Sequence, residues 1–157
     1  MDEWAIVVRW VHVLAGAAWF GEMVVINLVL VPALGRLERV QGSELLRAVF
    51  PRIFSLASWL SIVAVASGFL LLGEMVDWRH WDLLIESRWG RSILTGATLG
   101  LGLTLFHHLV ERRLSPAIAG NPSGLVYIER RLRVVPRVGL LVLLVVMGAM
   151  MYAARGF

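Results

Sequence analysis

The chain has 157 residues, the length of one domain, but 59% of them are hydrophobic and only 17% are charged. This composition, with a mean hydropathy of +0.77, excludes a water-soluble enzyme and an intrinsically disordered chain. Cysteine is absent and all 15 basic residues are arginine. Disulfides, thiolate metal sites, iron–sulfur clusters and lysine chemistry are therefore excluded as well.

Four apolar segments follow one another along the chain and account for this composition. They cover residues 4–34, 53–73, 92–110 and 138–154. A helix rises ~1.5 Å per residue and needs about 20 residues to cross ~30 Å of hydrocarbon, a length that each segment reaches alone or with its flanking residues. Strands are excluded because a short open sheet would leave backbone groups unsatisfied in lipid. The sequence therefore predicts an all-α, integral membrane four-helix bundle that forms one domain over residues 1–157.

The distribution of arginine predicts the topology of this bundle. Ten of the 15 arginines lie in the segments 32–52 and 111–137, which connect the predicted helices. Because positive charge is enriched on the cytoplasmic side, we expect both connections in the cytoplasm and both termini on the periplasmic or extracellular side of the inner (cytoplasmic) membrane. An aromatic belt at the opposite ends agrees with this expectation: Trp4, Trp78, Trp81, Trp89 and Tyr152. Topology explains the basic excess, so we expect the lipid bilayer and not nucleic acid as the partner.

Two stretches of the chain are alike and indicate an internal repeat. One pair of prolines, Pro32 and Pro51, flanks the first connection, and a second pair, Pro116 and Pro136, flanks the second connection at nearly the same spacing. This spacing predicts two similar helical hairpins with the same orientation in the membrane. The alternative is that proline and arginine simply punctuate any bilayer helix near the cytoplasm.

The repeat also predicts which faces of the helices meet. When the second hairpin is aligned with the first, His12 is equivalent to Gly96 and Met23 is equivalent to His107. His12 and Met23 are separated by about three helical turns, so they lie on the same side of the first span. If the equivalent faces meet at the axis of the repeat, His12 faces Gly96 and Met23 faces His107.

Histidines within the spans are the first candidates for a binding site, because ionisable residues are costly in a bilayer. Small neighbours and Trp19 share the face of His12 and leave room for a flat ring system. The alternative for His12 is a hydrogen bond to a backbone carbonyl or to interfacial water. For His107 and the adjacent His108, the alternative is an interfacial residue that complements a helix C-terminus.

The depths of the two candidate histidines differ by roughly 15–20 Å at ~1.5 Å per residue. One metal ion cannot bind both His12 and His107, so there are two centres or only one of these histidines is a ligand. Met23 is the expected axial partner of His107. Several side chains lie at the same predicted level as His12. Three arginines are available there for haem propionates or anionic headgroups: Arg9, Arg91 and Arg155. Further ligands for a metal at this level are His80, Met150 and Met151.

Glu22 is the costliest residue in the spans and the candidate for catalytic proton transfer. A carboxylate at this depth must be protonated, paired or hydrated. Glu22 lies near the predicted depth of His107, so we expect a Glu22–His107 hydrogen bond or a proton path. The alternative is a protonated carboxyl bonded to a neighbouring helix.

The first span resembles that of two families of small membrane proteins. His12 is followed, two helical turns later, by Trp19, Phe20 and Gly21, which is similar to the opening helix of the CopD-like copper-resistance proteins and of the HemJ-like protoporphyrinogen oxidases. Pro32, the Trp89-Gly90-Arg91 stretch and the stretch 112–116 are also similar to the CopD-like pattern. This resemblance implies a membrane haem b protein with His12 as a ligand. The third-helix lysine of the HemJ family is absent here, so porphyrinogen oxidation is not implied.

The sequence leaves three functions open. The first is a protein with one or two haem b groups that acts in electron transfer or as an oxidoreductase, together with a redox partner protein. The second is a CopD-like copper-binding or transport protein. The third is a structural subunit whose small residues, such as Gly96 and Gly100, pack against a partner helix or a second copy.

Overall fold

The structure, a computed structural model, describes residues 3–76, 81–120 and 124–155, and the regular structure in these ranges is helical. The four long helices are α1 (Glu3–Leu34), α2 (Arg39–Met75), α3 (Arg88–Gly120) and α4 (Gly124–Ala154), and a short helix, Asp82–Glu86, precedes α3. The prediction of an all-α four-helix fold is confirmed.

Each long helix contains a stretch that is long and apolar enough to cross a membrane. These stretches are Glu3–Leu34, Val40–Met75, Arg88–Arg113 and Val134–Ala154. Large apolar side chains cover the outside of the bundle; Leu28 and Trp59, for example, are 69% and 67% exposed. Such a surface would be costly in water and is satisfied by lipid. The chain is a multi-pass membrane protein.

Contacts along α2 establish that neighbouring helices run in opposite directions. His12, near the start of α1, contacts Ala64 in the second half of α2. His107, in the second half of the membrane stretch of α3, contacts Phe54 in the first half of α2. The helices α1 and α3 are therefore both antiparallel to α2.

The fourth helix closes the bundle. Gly96, early in α3, lies against Met150 near the end of α4, and Asn27 in α1 bonds to Pro136 in α4. The order around the bundle is α1, α2, α3, α4, with α1 and α3 diagonal to each other. We call the end that contains the start of α1 and the end of α4 the terminal face, and the opposite end the hairpin face.

The core lies in the middle of the bundle and is contributed by all four helices. Its buried members pack together, and none of them is charged. They are Trp19, Met23, Ile26, Ala57, Leu103 and Leu143. The bundle also buries small residues of α2, among them Ala57, Ser58 and Ser61.

Much of the described part of the two basic connecting segments is helical, which the sequence did not predict. Helix α2 begins at Arg39 and α4 at Gly124, several turns before the predicted spans at positions 53 and 138. Pro51 and Pro136 therefore lie inside helices and do not begin them. In α2 the helix continues because Leu46, Phe50 and Phe54 recur at every fourth position and form one buried stripe.

Helix α1 changes its winding near its end, where residues Ile26–Leu30 are π-helical. The side-chain amide of Asn27 donates to the carbonyl of Met23 at 2.8 Å and to the carbonyl of Pro136 at 2.9 Å. A π-helical turn displaces the usual backbone donor of a carbonyl in the preceding turn. Asn27 therefore satisfies a carbonyl of its own helix and ties α1 to α4.

Candidate functional site

His12 lies at the interface of α1 and α2, in the half of the bundle nearer the terminal face. Its Nδ1 donates a hydrogen bond to the carbonyl oxygen of Ala64 at 2.8 Å. A carbonyl only accepts, so this bond places the proton on Nδ1 and leaves a lone pair on Nε2. Nε2 has no hydrogen bond to any residue that the structure describes. The structure thus shows the alternative that the sequence left open for His12, a hydrogen bond to a backbone carbonyl, and this bond leaves Nε2 without a described partner.

Two residues of α2 fix the position of this imidazole. Ser67 Oγ lies 3.4 Å from His12 Nδ1, and the hydroxyl donates to the backbone of its own helix. A Cβ atom at Gly68 would stand 2.9 Å from Cε1 of His12, closer than such atoms approach. Gly68 therefore forms a cradle for the ring that no larger residue could supply.

The expected contact between His12 and Gly96 is wrong. A Cβ atom at Gly96 would instead meet the side chain of Met150. The physical reason is the arrangement of the bundle, in which α1 and α3 are diagonal and α2 lies beside α1. His12 therefore contacts Gly68, a residue of the adjacent helix.

Open space is present beside two glycines near the level of His12. No described atom lies within 4 Å of where a Cβ would stand at Gly16 or Gly100. Gly16 follows the start of α1 at Glu3 by nearly the same length of helix as Gly100 follows the start of α3 at Arg88, so the two lie at comparable depth. Neither position is filled by a side chain that the structure describes.

His107 lies deeper, toward the hairpin face, and is also bonded to a carbonyl. Its Nε2 donates to Phe54 O at 3.3 Å, and its ring packs edge-on against the ring of Phe54 at 5.8 Å. His107 and Met23 line the same cavity, as the repeat predicted. The cavity measures about 40 Å³, which is room for one or two water molecules. A second haem does not fit between Met23 and His107.

Trp19 and Met23 belong to the packed core of the protein. Trp19 is 3% exposed, and Met23 fills the space left by the absent side chain of Gly139. Their places are explained by packing among all four helices. Cofactor binding by either residue stays a prediction.

The carboxyl group of Glu22 makes no hydrogen bond to any residue that the structure describes. Both carboxyl oxygens are buried, and neither has a hydrogen-bond partner among the described residues. The expected Glu22–His107 hydrogen bond is therefore not formed. An ionised carboxylate buried in this way costs several kcal/mol, whereas a neutral carboxyl costs about 1–3 kcal/mol. The geometry favours a carboxyl that carries a proton on one of its oxygens.

A second carboxyl inside the bundle, which is half-buried, was not identified from the sequence. Glu111 in α3 accepts a hydrogen bond from Ser58 Oγ in α2. Ser58 and Ser61 lie one turn apart on the face of α2 that the bundle buries, and this spacing was the available signal. The neighbouring His108 donates from Nδ1 to the carbonyl of Thr104 in its own helix at 3.1 Å.

The predicted outer residues do not form one cluster. Arg9 is exposed, and Arg91 lines an open groove between α3 and α4. Met150 packs on Gly96, whereas Met151 is 57% exposed on the outside of the bundle. His80 lies outside the described residues.

Among residues 3–76, 81–120 and 124–155, no group of three or more His, Asp or Glu side chains is placed to hold a metal ion. Comparisons of this chain with protein families, with curated proteins and with solved structures found no match.

Proposed function

We propose that this chain is a membrane haem b protein that acts in electron transfer, and that His12 would hold the haem through Nε2. The observation that carries the proposal is the hydrogen bond from His12 Nδ1 to Ala64 O. Histidines that bind metals usually donate their second ring nitrogen to a carbonyl or carboxylate, which fixes both the tautomer and the ring orientation. His12 makes the same kind of hydrogen bond through Nδ1.

The proposal places a single haem near His12, in the half of the bundle nearer the terminal face, where a Cβ at Gly16 or Gly100 would meet no described atom within 4 Å. Four-helix bundles commonly hold such groups between facing helices. The small cavity at Met23 and His107 argues against a second haem. When bound, haem b would supply one-electron chemistry, for which the chain needs a redox partner protein.

The protein's own residues have distinct parts in this proposal. Ala64 and Ser67 orient the His12 ring, and Gly68 allows the ring to approach α2. Glu22 holds a proton at one of its buried oxygens and could exchange it when the charge nearby changes.

An absorption spectrum of the purified protein tests this proposal. We expect a Soret band that shifts when dithionite is added, because reduction changes the electronic state of a bound haem. Protein prepared with excess haemin is the control for incomplete loading of the protein with haem. Colourless protein that also takes up no haemin contradicts the proposal.

Copper binding is the second candidate, and it is favoured by one observation. Met23 and His107 line one cavity, and the Nδ1 atom of His107 keeps its lone pair. Thioether and imidazole groups suit Cu(I). We expect bound copper by elemental analysis, its loss in Met23→Leu and its retention in His12→Ala. Copper no higher than in detergent blanks, or unaffected by Met23→Leu, contradicts this candidate.

The orientation in the inner membrane is part of the same proposal. Ten arginines lie in the segments 32–52 and 111–137, toward the hairpin face, against five elsewhere. We therefore propose that the hairpin face is cytoplasmic and that both termini are periplasmic or extracellular.

A further inference from the structure

A groove on the outside of the bundle, at the terminal face, carries a second kind of site. It has a volume of about 310 Å³ and lies between the start of α3 and the end of α4. The residues that line it are Arg88, Arg91, Ser92, Thr95, Ala149 and Tyr152. None of them belongs to the α1–α2 interface that holds His12, so this inference does not depend on the proposed haem.

The charge of the groove is positive and unbalanced. Among the described residues that line it, none is acidic. Arg88 and Arg91 are exposed, and neither guanidinium has an ion pair with a described residue. The start of a long helix adds partial positive charge at the same place. The groove therefore presents guanidinium donors for an anion, and no acidic side chain lines it among the residues that the structure describes.

The hydroxyls of the groove contribute less to anion binding than the two arginines do. Ser92 Oγ donates to Arg88 O at 3.0 Å, and Thr95 Oγ1 donates to Arg91 O at 2.7 Å. Both hydroxyl protons are thus used within α3, which leaves the guanidinium groups as the main donors. Arginine can bind two oxygens of a phosphate group at once.

The depth of the groove matches the headgroup region of a bilayer. Thr95 lies two turns beyond Arg88, the start of α3, and α4 ends at Ala154, just beyond Tyr152. At ~1.5 Å per residue the groove spans roughly the first 10 Å of the membrane stretch. Tyrosine is enriched at this level. An acyl chain could continue from the groove along the exposed apolar surface of the bundle.

We propose that this groove binds the phosphate of an anionic phospholipid through Arg88 and Arg91. Free phosphate shares the same chemistry, but only a lipid also covers the adjoining apolar surface. Basic pockets between membrane helices are suited to such headgroups.

Thermal unfolding in neutral detergent, followed by tryptophan fluorescence, tests the proposal. The probes are phosphatidylglycerol, phosphatidylcholine and inorganic phosphate. We expect phosphatidylglycerol alone to raise the Tm, by about 2–4 °C for moderate binding, because a ligand of the folded state stabilises it. The double variant Arg88→Gln/Arg91→Gln should lose this shift, and Arg155→Gln, at the same face but outside the groove, should keep it.

Three results would overturn the proposal: an equal shift with phosphatidylcholine, an unchanged shift in the double variant, or a full shift with inorganic phosphate. If the double variant does not fold, native mass spectrometry of the wild-type protein takes its place. Preferential retention of phosphatidylglycerol over phosphatidylcholine from an equimolar mixture supports the site, and equal retention contradicts it.

Discussion

His12 shows how a single hydrogen bond changes what a residue can do in a membrane. Its Nδ1–H donates a hydrogen bond to Ala64 O, which lowers the cost of placing an imidazole at this depth. The same bond leaves Nε2 available for a ligand. Gly68 makes the arrangement possible because its missing side chain accommodates the ring.

Gly68→Ala should therefore displace the His12 ring and lower stability. The new methyl group would stand 2.9 Å from Cε1 of the ring, so α1 and α2 must separate or the imidazole must rotate. Overpacking of this kind typically costs about 1–3 kcal/mol. Gly73→Ala is the control on the same helix, because a Cβ there meets no described atom within 4 Å. Chemical denaturation in detergent should show a lower free energy of unfolding for Gly68→Ala only. An equal free energy of unfolding in the two variants would contradict the proposed role of Gly68.

Glu22→Gln tests the protonation state of the buried carboxyl. A neutral carboxyl and an amide have nearly the same shape and both lack charge, so we expect the Tm to change little. A carboxylate stabilised by an ion pair would instead lose several kcal/mol on this substitution. A large fall in Tm would therefore show that Glu22 is ionised and paired.

At the residue scale, the sequence predicted which polar groups are in the spans and offered a carbonyl partner as one alternative for His12, but it did not predict which helix supplies that carbonyl. The cost of His12, Glu22 and His107 in lipid follows from residue type and position alone. The partner of His12 depends on which helix lies beside α1, and the repeat placed Gly96 there where the structure has Gly68. One sequence does not determine the order of helices around a bundle.

At the scale of single helices, the π-helical segment of α1 and the proline of α4 form one joint. Asn27 bonds to carbonyls of both Met23 and Pro136. Its sequence signal was weak, since one asparagine in an apolar span has several possible explanations. The sequence also underestimated the lengths of α2 and α4. The arginine-rich turns at their starts are not apolar overall, although Leu46 and Phe50 in α2 are buried.

Asn27→Leu should loosen the contact between α1 and α4. The substitution leaves the carbonyls of Met23 and Pro136 without this donor, and hydrogen bonds between membrane helices are worth about 0.6–2 kcal/mol. Leu28→Ala is the control, since Leu28 is 69% exposed to the outside of the bundle. If the free energy of unfolding falls no more in Asn27→Leu than in the control, Asn27 does not stabilise the contact between α1 and α4.

At the scale of the whole molecule, hydrophobicity and the distribution of charge are the strongest sequence signals. The four spans were predictable because lipid requires long apolar helices. The packing between the helices was not predictable, because it depends on how Met23 meets Gly139 and how Met150 meets Gly96.

The absence of cysteine makes the proposed orientation directly testable. Glu86→Cys and Arg155→Cys lie near the terminal face, and Arg36→Cys lies at the hairpin face. We expect a membrane-impermeant maleimide applied from outside the inner membrane to label the first two, and the third only after permeabilisation. Labelling of Arg36→Cys before permeabilisation, with the other two protected, would reverse the orientation.

The haem content of histidine variants, measured by pyridine haemochrome and related to protein concentration, tests the central claim most directly. The account predicts about one haem per chain in the wild-type protein and in His107→Ala. It predicts none in His12→Gly, with partial recovery when imidazole is added to replace the missing ring. Full haem content in His12→Gly without imidazole, or no haem in correctly folded wild-type protein, would contradict it.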